Sequence, residues 1–326
     1  MPDPRFESLQ QWLSRDLGVI NYQLVPASED ASFRRYFRVH RNGDSLIAMD
    51  APPERENCRS FIRIARGFRD LGLNVPEVLE QNLEQGFLLL TDLGERQYLR
   101  ILNFHNAPVL YGDALAALRL LQGGDAEELG LPSYNRDLLM KEMELFRDWY
   151  LGRHLGIDIG TALNETFGLL VVSALEQPQI PVHRDYHSRN LMVTEKANPG
   201  ILDFQDAVKG PVTYDLVSLL RDCYRAWPQD RVLTWLYDYR RKAAQVGIPV
   251  GASEAEFLRW FDWMGVQRHL KASGIFARLN YRDGKSGYLK DIPRVLNYLR
   301  TVICQYDELA ELAQVLRDLP EPMGSP

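Results

Sequence analysis

The fold is decided by two neighbouring segments, PVHRDYHSRNLMV at residues 181–193 and GILDFQ at residues 200–205. Their short apolar runs flank a turn, so they predict a strand pair that brings Asn190 and Asp203 side by side. Mg²⁺ prefers oxygen ligands and usually takes only one or two carboxylate-type groups from a protein, with phosphate oxygens and water as its other ligands. Asn190 and Asp203 are therefore candidate magnesium ligands. Asp185, in the polar loop ahead of them, is a candidate base for a hydroxyl that attacks a phosphate.

The composition is that of an ordinary globular protein, with 45% hydrophobic and 25% charged residues in a chain of 326. A chain of this length exceeds one hydrophobic core, which favours two packed units. The start, MPDPRFESLQ, lacks the pattern of a secretory signal, and the longest apolar run, residues 167–175, is too short to cross a bilayer. We therefore expect a cytoplasmic protein, in which Cys58, Cys223 and Cys304 are reduced thiols. The net charge of −6 weighs against nucleic acid as a partner.

The hydrophobic pattern predicts an α+β fold with a strand-rich first part and a helical second part. Predicted strands cover residues 22–25, 33–40, 45–50, 78–82 and 86–91, with one main helix at 54–71. Predicted helices then lie near residues 108–122, 135–154, 161–177, 214–226, 230–246, 253–272 and 293–318. We expect a small antiparallel N-terminal lobe at 1–93, a hinge near 90–96, and a larger helical lobe at 94–326.

The spacing His-x-Asp-x-x-x-x-Asn with a downstream Asp-Phe resembles the catalytic loop and metal-binding motif of the protein-kinase-like superfamily. Only DFQDAVKGPVTY separates Asp203 from Asp215, which leaves no room for the long activation segment of a protein kinase. The segment GPVTYDLVSLL instead resembles the helix entry of aminoglycoside phosphotransferases and choline kinases. The resemblance implies a two-lobed kinase fold that uses ATP and Mg²⁺, with Asp185 as catalytic base and structural roles for His183 and Asp215.

Other residues of the motif have more than one interpretation from the sequence. Tyr186 and His187 are candidate substrate contacts, although a solvent-exposed histidine gives the same pattern. Asp215 resembles a brace for the catalytic loop, and its alternative is a carboxylate at a helix N-terminus, where the helix dipole favours it. The whole motif has a simpler alternative as a polar loop with a capping Asp185 and a surface Asn190.

The N-terminal lobe carries the candidate ATP contacts. In the family, a loop between the first two strands covers the phosphates, and here Ser28 and Ser32 in that loop are the possible donors; the alternative is an ordinary polar hairpin loop. Thr91, Asp92 and Leu93 are placed like the family's hinge, whose backbone contacts adenine.

One departure from the family lies on the third strand, where Met49 stands in place of the lysine that grips the phosphates. Arg34, Arg35 or Arg38 on the preceding strand are candidate replacements, because a guanidinium is a good phosphate ligand. Strand alternation puts Arg34 and Arg38 on one face and Arg35 on the other. The alternative for each of them is a solvated arginine on an exposed sheet face. Glu54 or Glu56 is placed like the helix glutamate that pairs with the family's lysine, but without that lysine the comparison loses its reason.

Local charge indicates the kind of substrate. Residues 251–300 contain nine Lys or Arg against five Asp or Glu, a balance of +4, which favours a neutral or anionic substrate unless these are solvated helix faces. SEDASFRRYFRV, MDAPPE and GIFARLNYRDGK further resemble bacterial amino-sugar kinases of the same family. That resemblance implies ATP and a small amino sugar phosphorylated at its anomeric hydroxyl. We further expect a monomer. The alternatives are a kinase of another small hydroxyl compound, such as an aminoglycoside, choline or homoserine, and a nucleotide-binding pseudokinase scaffold.

Overall fold

A computed structural model describes residues 3–28 and 33–320, and the chain divides into two compact units. The first unit contains the described residues up to Arg96 together with the segment Met192–Gln205. The second contains Gln97–Leu191 and the described residues from Asp206 onward. The chain thus passes from one unit to the other near the expected hinge, and the segment 192–205, which we had placed with the helical lobe, belongs to the first unit.

The first unit is built on an antiparallel sheet with the strand order β1-β2-β3-β5-β4. Its strands are β1 (Gln23–Ser28), β2 (Arg35–Arg41), β3 (Asp44–Asp50), β4 (Val78–Asn82) and β5 (Phe87–Thr91). Asn42 and Gly43 join β2 to β3 with φ of 51° and 89°, the left-handed pair that a two-residue hairpin of this kind requires. The sheet predicted from the alternation of residues is confirmed.

Two helices complete this unit. They are α1 (Pro4–Gln11), which continues as a wide π-helical turn through Asp16, and α2 (Cys58–Asp70). The α2 helix begins later than the predicted residue 54 because the Asn57 side chain caps it, accepting a hydrogen bond from the Ser60 amide. Leu9, Trp12 and Phe87 are among the buried residues that join α1 to the sheet.

The second unit is mainly helical. Its helices are α3 (Tyr98–Ile101), α4 (Ala107–Gln122), α5 (Arg136–Leu145) with a π-helical continuation (Phe146–Leu155), α6 (Asn164–Glu176), α7 (Tyr214–Leu220), α8 (Gln229–Gln245), α9 (Glu254–Asp283), α10 (Ile292–Ile303) and α11 (Ala310–Arg317). Short 3₁₀ turns cover Ser286–Asp291 and Asp307–Leu309.

The 30-residue α9 is the centre of the second unit, and nineteen of its residues are buried. It runs past the predicted end at residue 272 to Asp283, where Gly284 ends it in the left-handed conformation with a φ of 69°. At Gly274 the α5 backbone approaches so closely that an added Cβ would lie 2.2 Å from the Leu145 carbonyl carbon. Only glycine permits this packing.

Two further predicted helices are shorter than the sequence pattern suggested. The one predicted at 214–226 ends at Leu220, because the Tyr224 amide donates to the Asp222 carboxylate and forms a turn instead. The one predicted at 293–318 divides into α10 and α11. Local side-chain to backbone hydrogen bonds of this kind end a helix, and periodicity does not reveal them.

Four short strands carry the motif segments. They are β6 (Gln179–Val182), β7 (Leu191–Met192), β8 (Gly200–Ile201) and β9 (Val208–Pro211). β6 pairs with β9, and β7 pairs with β8, so the predicted strand pair around residues 191–204 exists with two residues in each strand. Across the described residues, helices with the length and apolarity needed for a membrane span do not occur.

Candidate active site

The catalytic loop follows β6 in the second unit and is held by a buried aspartate. Asp215, at the start of α7, accepts hydrogen bonds from the backbone amides of His183 and Arg184 at 2.7 and 3.0 Å. Arg184 has a φ of 78°, which is rare for a residue with a side chain and shows that the loop is held in a strained form. These contacts support the role of Asp215 as a brace. His183 is fully buried, and its Nδ1 accepts from the Asp185 amide at 3.3 Å, which supports its structural role.

Asp185 itself lies among cationic groups. Its Oδ1 is 3.9 Å from an Arg268 guanidinium nitrogen and 4.0 Å from His187 Nε2. Burial alone raises the pKa of Asp185, but Lys271, His187, Arg268 and Arg184 outweigh it and hold the pKa well below the usual aspartate value. The Asp185 side chain keeps 38% of its surface exposed. It is therefore an ionised carboxylate that is open to a ligand.

Behind the loop lies a buried ionic cluster that we define as Glu142, Arg184, Lys271, Tyr134 and Tyr214. Glu142 Oε1 is 2.5 Å from an Arg184 nitrogen and 3.0 Å from Lys271 Nζ. Tyr134 donates to the other Glu142 oxygen, and Lys271 donates to the Tyr214 hydroxyl at 3.0 Å. Burial would raise the pKa of Glu142, but its two cations lower it below the ordinary value. The cluster fixes Arg184, the residue next to Asp185.

Asn190 closes the loop. Its side-chain nitrogen donates to the Asp185 carbonyl at 3.0 Å, and its own amide donates to the His187 carbonyl at 2.9 Å. With the nitrogen turned toward the loop, the oxygen of the same amide is the atom suited to a metal.

Asp203 belongs to the first unit, where it ends the short β8 hairpin. Its backbone has a φ of 64°, and its Oδ1 accepts from the Gln205 side chain at 2.8 Å. The following Phe204 is buried, with its ring centroid 4.9 Å from that of Phe61 and 5.8 Å from that of Phe68. This anchoring on α2 fixes the carboxylate that precedes it.

The structure distinguishes the three candidate arginines of the first unit. Arg34 lies beside Asp203, with guanidinium nitrogens 3.7 Å from Asp203 Oδ1 and 3.6 Å from Glu56 Oε2, and only 9% of its side chain is exposed. Arg35 binds the buried carboxylate of Asp50 at 2.5 Å. Arg38 lies in a different ion pair, 2.5 Å from Asp92. Of the three guanidinium groups, that of Arg34 lies between Glu56, in the segment before α2, and Asp203 of the Asp-Phe motif.

The remaining candidate ATP contacts have structural partners. The Thr91 hydroxyl accepts from the Glu77 amide at 2.9 Å, and Asp92 accepts from the Gly94 amide at 2.9 Å in addition to binding Arg38. Because Asp92 and Glu95 hold Arg38 at 2.5 Å each, this structure does not present Arg38 to a phosphate. Leu93 packs close to Gly200, Ser28 ends β1, and Ser32 lies outside the described residues.

The candidate substrate contacts differ in exposure. Tyr186 is fully buried, and its hydroxyl donates to the Ala114 carbonyl at 2.8 Å, so we correct its expected substrate contact to a core role. His187 keeps a partly exposed ring next to Asp185, and burial lowers its pKa below the usual histidine value.

Part of the basic balance of residues 251–300 is taken up by carboxylates outside that segment. Lys271 pairs with Glu142, and Arg259 pairs with Glu308, whereas the pairs of Arg282 with Asp283 and of Arg294 with Asp291 lie within the segment and leave its balance unchanged. Sequence reasoning missed Glu142 altogether, because a single glutamate in a helical pattern carries no signal. It registered Arg268 and Lys271 only as part of a charge count.

These features are those of a kinase-like phosphotransferase, and comparison with known proteins agrees. The model of the phosphotransferase enzyme family (APH) matches residues 23–260, so the chain belongs to that family and is a phosphotransferase. It is 49% identical to the N-acetylmuramate/N-acetylglucosamine kinase of Pseudomonas aeruginosa, over 98% of each chain. It is 48% identical to the protein of the same name from Pseudomonas putida, over 97% of each chain.

Solved structures confirm the fold. Choline kinase LicA from Streptococcus pneumoniae is similar with a TM-score of 0.64 at 11% identity, covering 91% of this chain and 99% of that one. The ADP-bound aminoglycoside phosphotransferase APH(2'')-Ib is similar with a TM-score of 0.55 at 15% identity, covering 89% and 97%. The predicted α+β protein-kinase-like fold is thus correct, including the five-stranded sheet and the mostly helical second unit.

Proposed function

We propose that this phosphotransferase moves the γ-phosphate of ATP to the anomeric C1 hydroxyl of N-acetylmuramate and N-acetylglucosamine, as a step of peptidoglycan recycling. The observation that carries the proposal is Asp185, an ionised and accessible carboxylate on a braced loop, in a chain nearly half identical to kinases named for these sugars. An anomeric hydroxyl that approaches Asp185 would give up its proton as it attacks the phosphate.

The surroundings of Asp185 suit a base that orients its substrate. Phosphoryl transfer needs mainly positioning and charge stabilisation, and the attacking oxygen must stay in line with the phosphate. Asp215 holds the loop through two backbone amides, so the carboxylate is fixed before the substrate arrives. The nearby Lys271, His187 and Arg268 lower the pKa of Asp185 and keep it ionised.

The residues present fit a magnesium ion. Asn190 offers an amide oxygen and Asp203 a carboxylate, and both are oxygen donors of the kind that Mg²⁺ takes from proteins. When bound, the metal supplies charge neutralisation at the β- and γ-phosphates. The chain's own contribution is to fix these donors, through the Asn190 bond to the Asp185 carbonyl and through the anchoring of Phe204 beside Asp203.

For the absent strand lysine, we assign Arg34 as the residue that contacts the phosphates. Its distances of 3.6 Å to Glu56 and 3.7 Å to Asp203 support this role, since Glu56 would hold the guanidinium as the helix glutamate holds the lysine in kinases. Replacing Arg34 with methionine should raise the KM for ATP strongly, and Arg34→Lys should recover part of the loss. Arg41→Met, an exposed arginine of β2, is the matched control.

The test of the reaction is phosphorus NMR of the purified protein with ATP, Mg²⁺ and either sugar. A sugar 1-phosphate signal is the expected result, and it identifies the activity and the position of transfer together. Its absence in protein that binds ATP would overturn the sugar assignment. Choline, homoserine and aminoglycosides would then be tried in the same assay, and failure with all of them would favour a nucleotide-binding scaffold.

We further propose that the protein acts in the cytoplasm, where its phosphoryl donor ATP is available, and that it is a monomer. Sedimentation of the purified protein would check the second statement.

A further inference from the structure

One arginine of the catalytic loop is held by aromatic rings instead of a carboxylate. The Arg189 guanidinium carbon lies 4.9 Å from the ring centroid of Tyr224 and 5.2 Å from that of Tyr288. Phe276 of α9 supports both rings, with its centroid 5.6 Å from Tyr288 and 5.9 Å from Tyr224. We call Arg189, Tyr224 and Tyr288 the arginine clamp. It joins three separate segments of the second unit and holds one cation in a fixed place.

The charge of the clamp is not neutralised within the part of the chain that the structure describes. There, Arg184 and Lys271 share Glu142, and Arg268 lies 3.9 Å from Asp185, whereas no carboxylate forms an ion pair with Arg189. A guanidinium is not deprotonated in proteins, so Arg189 carries its positive charge at every pH of interest. A fixed cation without a carboxylate partner is suited to a ligand anion, because little ordering remains to be done on binding.

The clamp is connected to the base through one side chain. The His187 ring meets the Tyr224 ring edge-on at 5.2 Å between centroids, and its Nε2 lies 4.0 Å from Asp185 Oδ1. Arg189 also directly precedes Asn190 on the same loop. We infer that a sugar whose hydroxyl reaches Asp185 extends its other substituents toward this clamp.

The two sugars of the proposed function differ by one group. N-acetylmuramate is N-acetylglucosamine with a lactyl ether, whose carboxylate is the one charge that separates them. A guanidinium can bind a carboxylate through two parallel N–H donors, and such charged pairs are the stronger hydrogen bonds in proteins.

We propose that Arg189, positioned by Tyr224 and Tyr288, binds the lactyl carboxylate and sets the preference of the enzyme for N-acetylmuramate over N-acetylglucosamine. The proposal rests on the proposed function, and it assigns to one residue the discrimination between the two substrates. Arg268 and Lys271 are less suited, because Arg268 serves the base and donates to Ser218 at 2.5 Å, while Lys271 is committed to Glu142.

The test compares kcat/KM for both sugars in the wild type and in Arg189→Met. Loss of a charged hydrogen bond should lower kcat/KM for N-acetylmuramate roughly 10- to 100-fold, mainly through KM, and leave N-acetylglucosamine within about twofold. The activity on N-acetylglucosamine also reports whether the variant is folded. Arg282→Met is the matched control, since this exposed arginine is paired with its neighbour Asp283 and should change neither sugar.

Two further measurements sharpen the test. Tyr288→Phe keeps the ring but removes the hydroxyl, and should raise the KM for N-acetylmuramate alone, by a few-fold. The lactamide derivative of N-acetylmuramate lacks only the negative charge, so wild type should use it less well than N-acetylmuramate, whereas Arg189→Met should not distinguish the two.

Equal losses on both sugars, or no loss on either, would overturn the role of Arg189. A wild-type enzyme that phosphorylates neither sugar would overturn the proposed function and this inference with it. Activity on both sugars with an unchanged ratio in Arg189→Met would overturn the inference and leave the proposed function standing.

Discussion

The members of the buried ionic cluster behind the catalytic loop differ in the number of charged partners that each one has. Substitutions of single members should therefore lower the free energy of unfolding by different amounts. Glu142 serves two cations, with Arg184 at 2.5 Å and Lys271 Nζ at 3.0 Å, whereas Lys271 has Glu142 as its carboxylate and the Tyr214 hydroxyl as its other bond. The side chains of Glu142 and Lys271 are each 7% exposed. Removing either one leaves a different set of buried charges behind.

In Glu142→Gln, the Lys271 ammonium and the Arg184 guanidinium both lose their counter-charge. Breaking a buried pair in this way typically costs about 3–5 kcal/mol of unfolding free energy. In Lys271→Met, Glu142 keeps Arg184, Tyr134 and Gln267, and methionine fills most of the vacated volume. We expect a smaller cost of about 1–3 kcal/mol, near that of one buried hydrogen-bonding group left without its partner.

The assay is calorimetric or urea-induced unfolding of the two single variants and the double variant. Because the two residues are in contact, the double variant should be less destabilised than the sum of the singles, by about 1 kcal/mol or more. Lys209→Met is the surface control. Its ion pair with Glu127 is 2.8 Å long but largely exposed, and its loss should leave the midpoint unchanged.

A cost for Lys271→Met equal to or above that of Glu142→Gln would refute the reasoning. So would simple additivity in the double variant. Either result would mean that Glu142 is not the common counter-charge of Arg184 and Lys271.

The remaining predictions concern packing, the reacting groups and pH. Gly274→Ala should lower the unfolding free energy by about 3 kcal/mol or more, since its Cβ would meet the Leu145 backbone. Gly168→Ala in α6, where the added Cβ faces open space, should raise the unfolding free energy by about 0.5–1 kcal/mol. Thermal unfolding of the two variants measures both changes. Asp185→Asn should reduce kcat roughly 10²- to 10⁴-fold with a modest effect on ATP binding, and unaltered turnover in folded protein would exclude Asp185 as the base. Asp203→Ala should instead abolish magnesium-dependent nucleotide binding, which titration calorimetry with and without chelator measures. The pH dependence of kcat/KM follows from the lowered pKa of Asp185, because a base acts in its deprotonated form. Protonation of Asp185 should therefore cause no decrease in kcat/KM between pH 5 and 8. In Lys271→Met the pKa of Asp185 should rise, so the decrease of kcat/KM on the acid side should begin at higher pH.

The sequence by itself was sufficient for the fold and for the class of enzyme. The alternation in β2 and β3, the Asn42-Gly43 turn and the periodic helices are local patterns, and local backbone preferences determine them. The spacing from Asp185 to Asn190 and Asp203 is likewise fixed by a short loop and a hairpin, so it can be recognised in the chain and compared with a family.

Only the tertiary structure decided which residues serve that motif. Strand alternation separates Arg35 from Arg34 and Arg38, but only the contacts with Asp203, Asp50 and Asp92 distinguish all three arginines. Tyr186 was expected at the substrate and lies in the core, because the hydroxyl finds a carbonyl of α4.

The same holds for the electrostatics around the base. Glu142 and Lys271 lie outside the motif, and the contacts of Arg189 are not evident from its place in the loop; the partners of all three come from helices and loops that are distant in sequence. Short-range patterns fix elements because each residue acts on its own backbone, whereas charge compensation depends on distances between side chains that only the packed chain brings together.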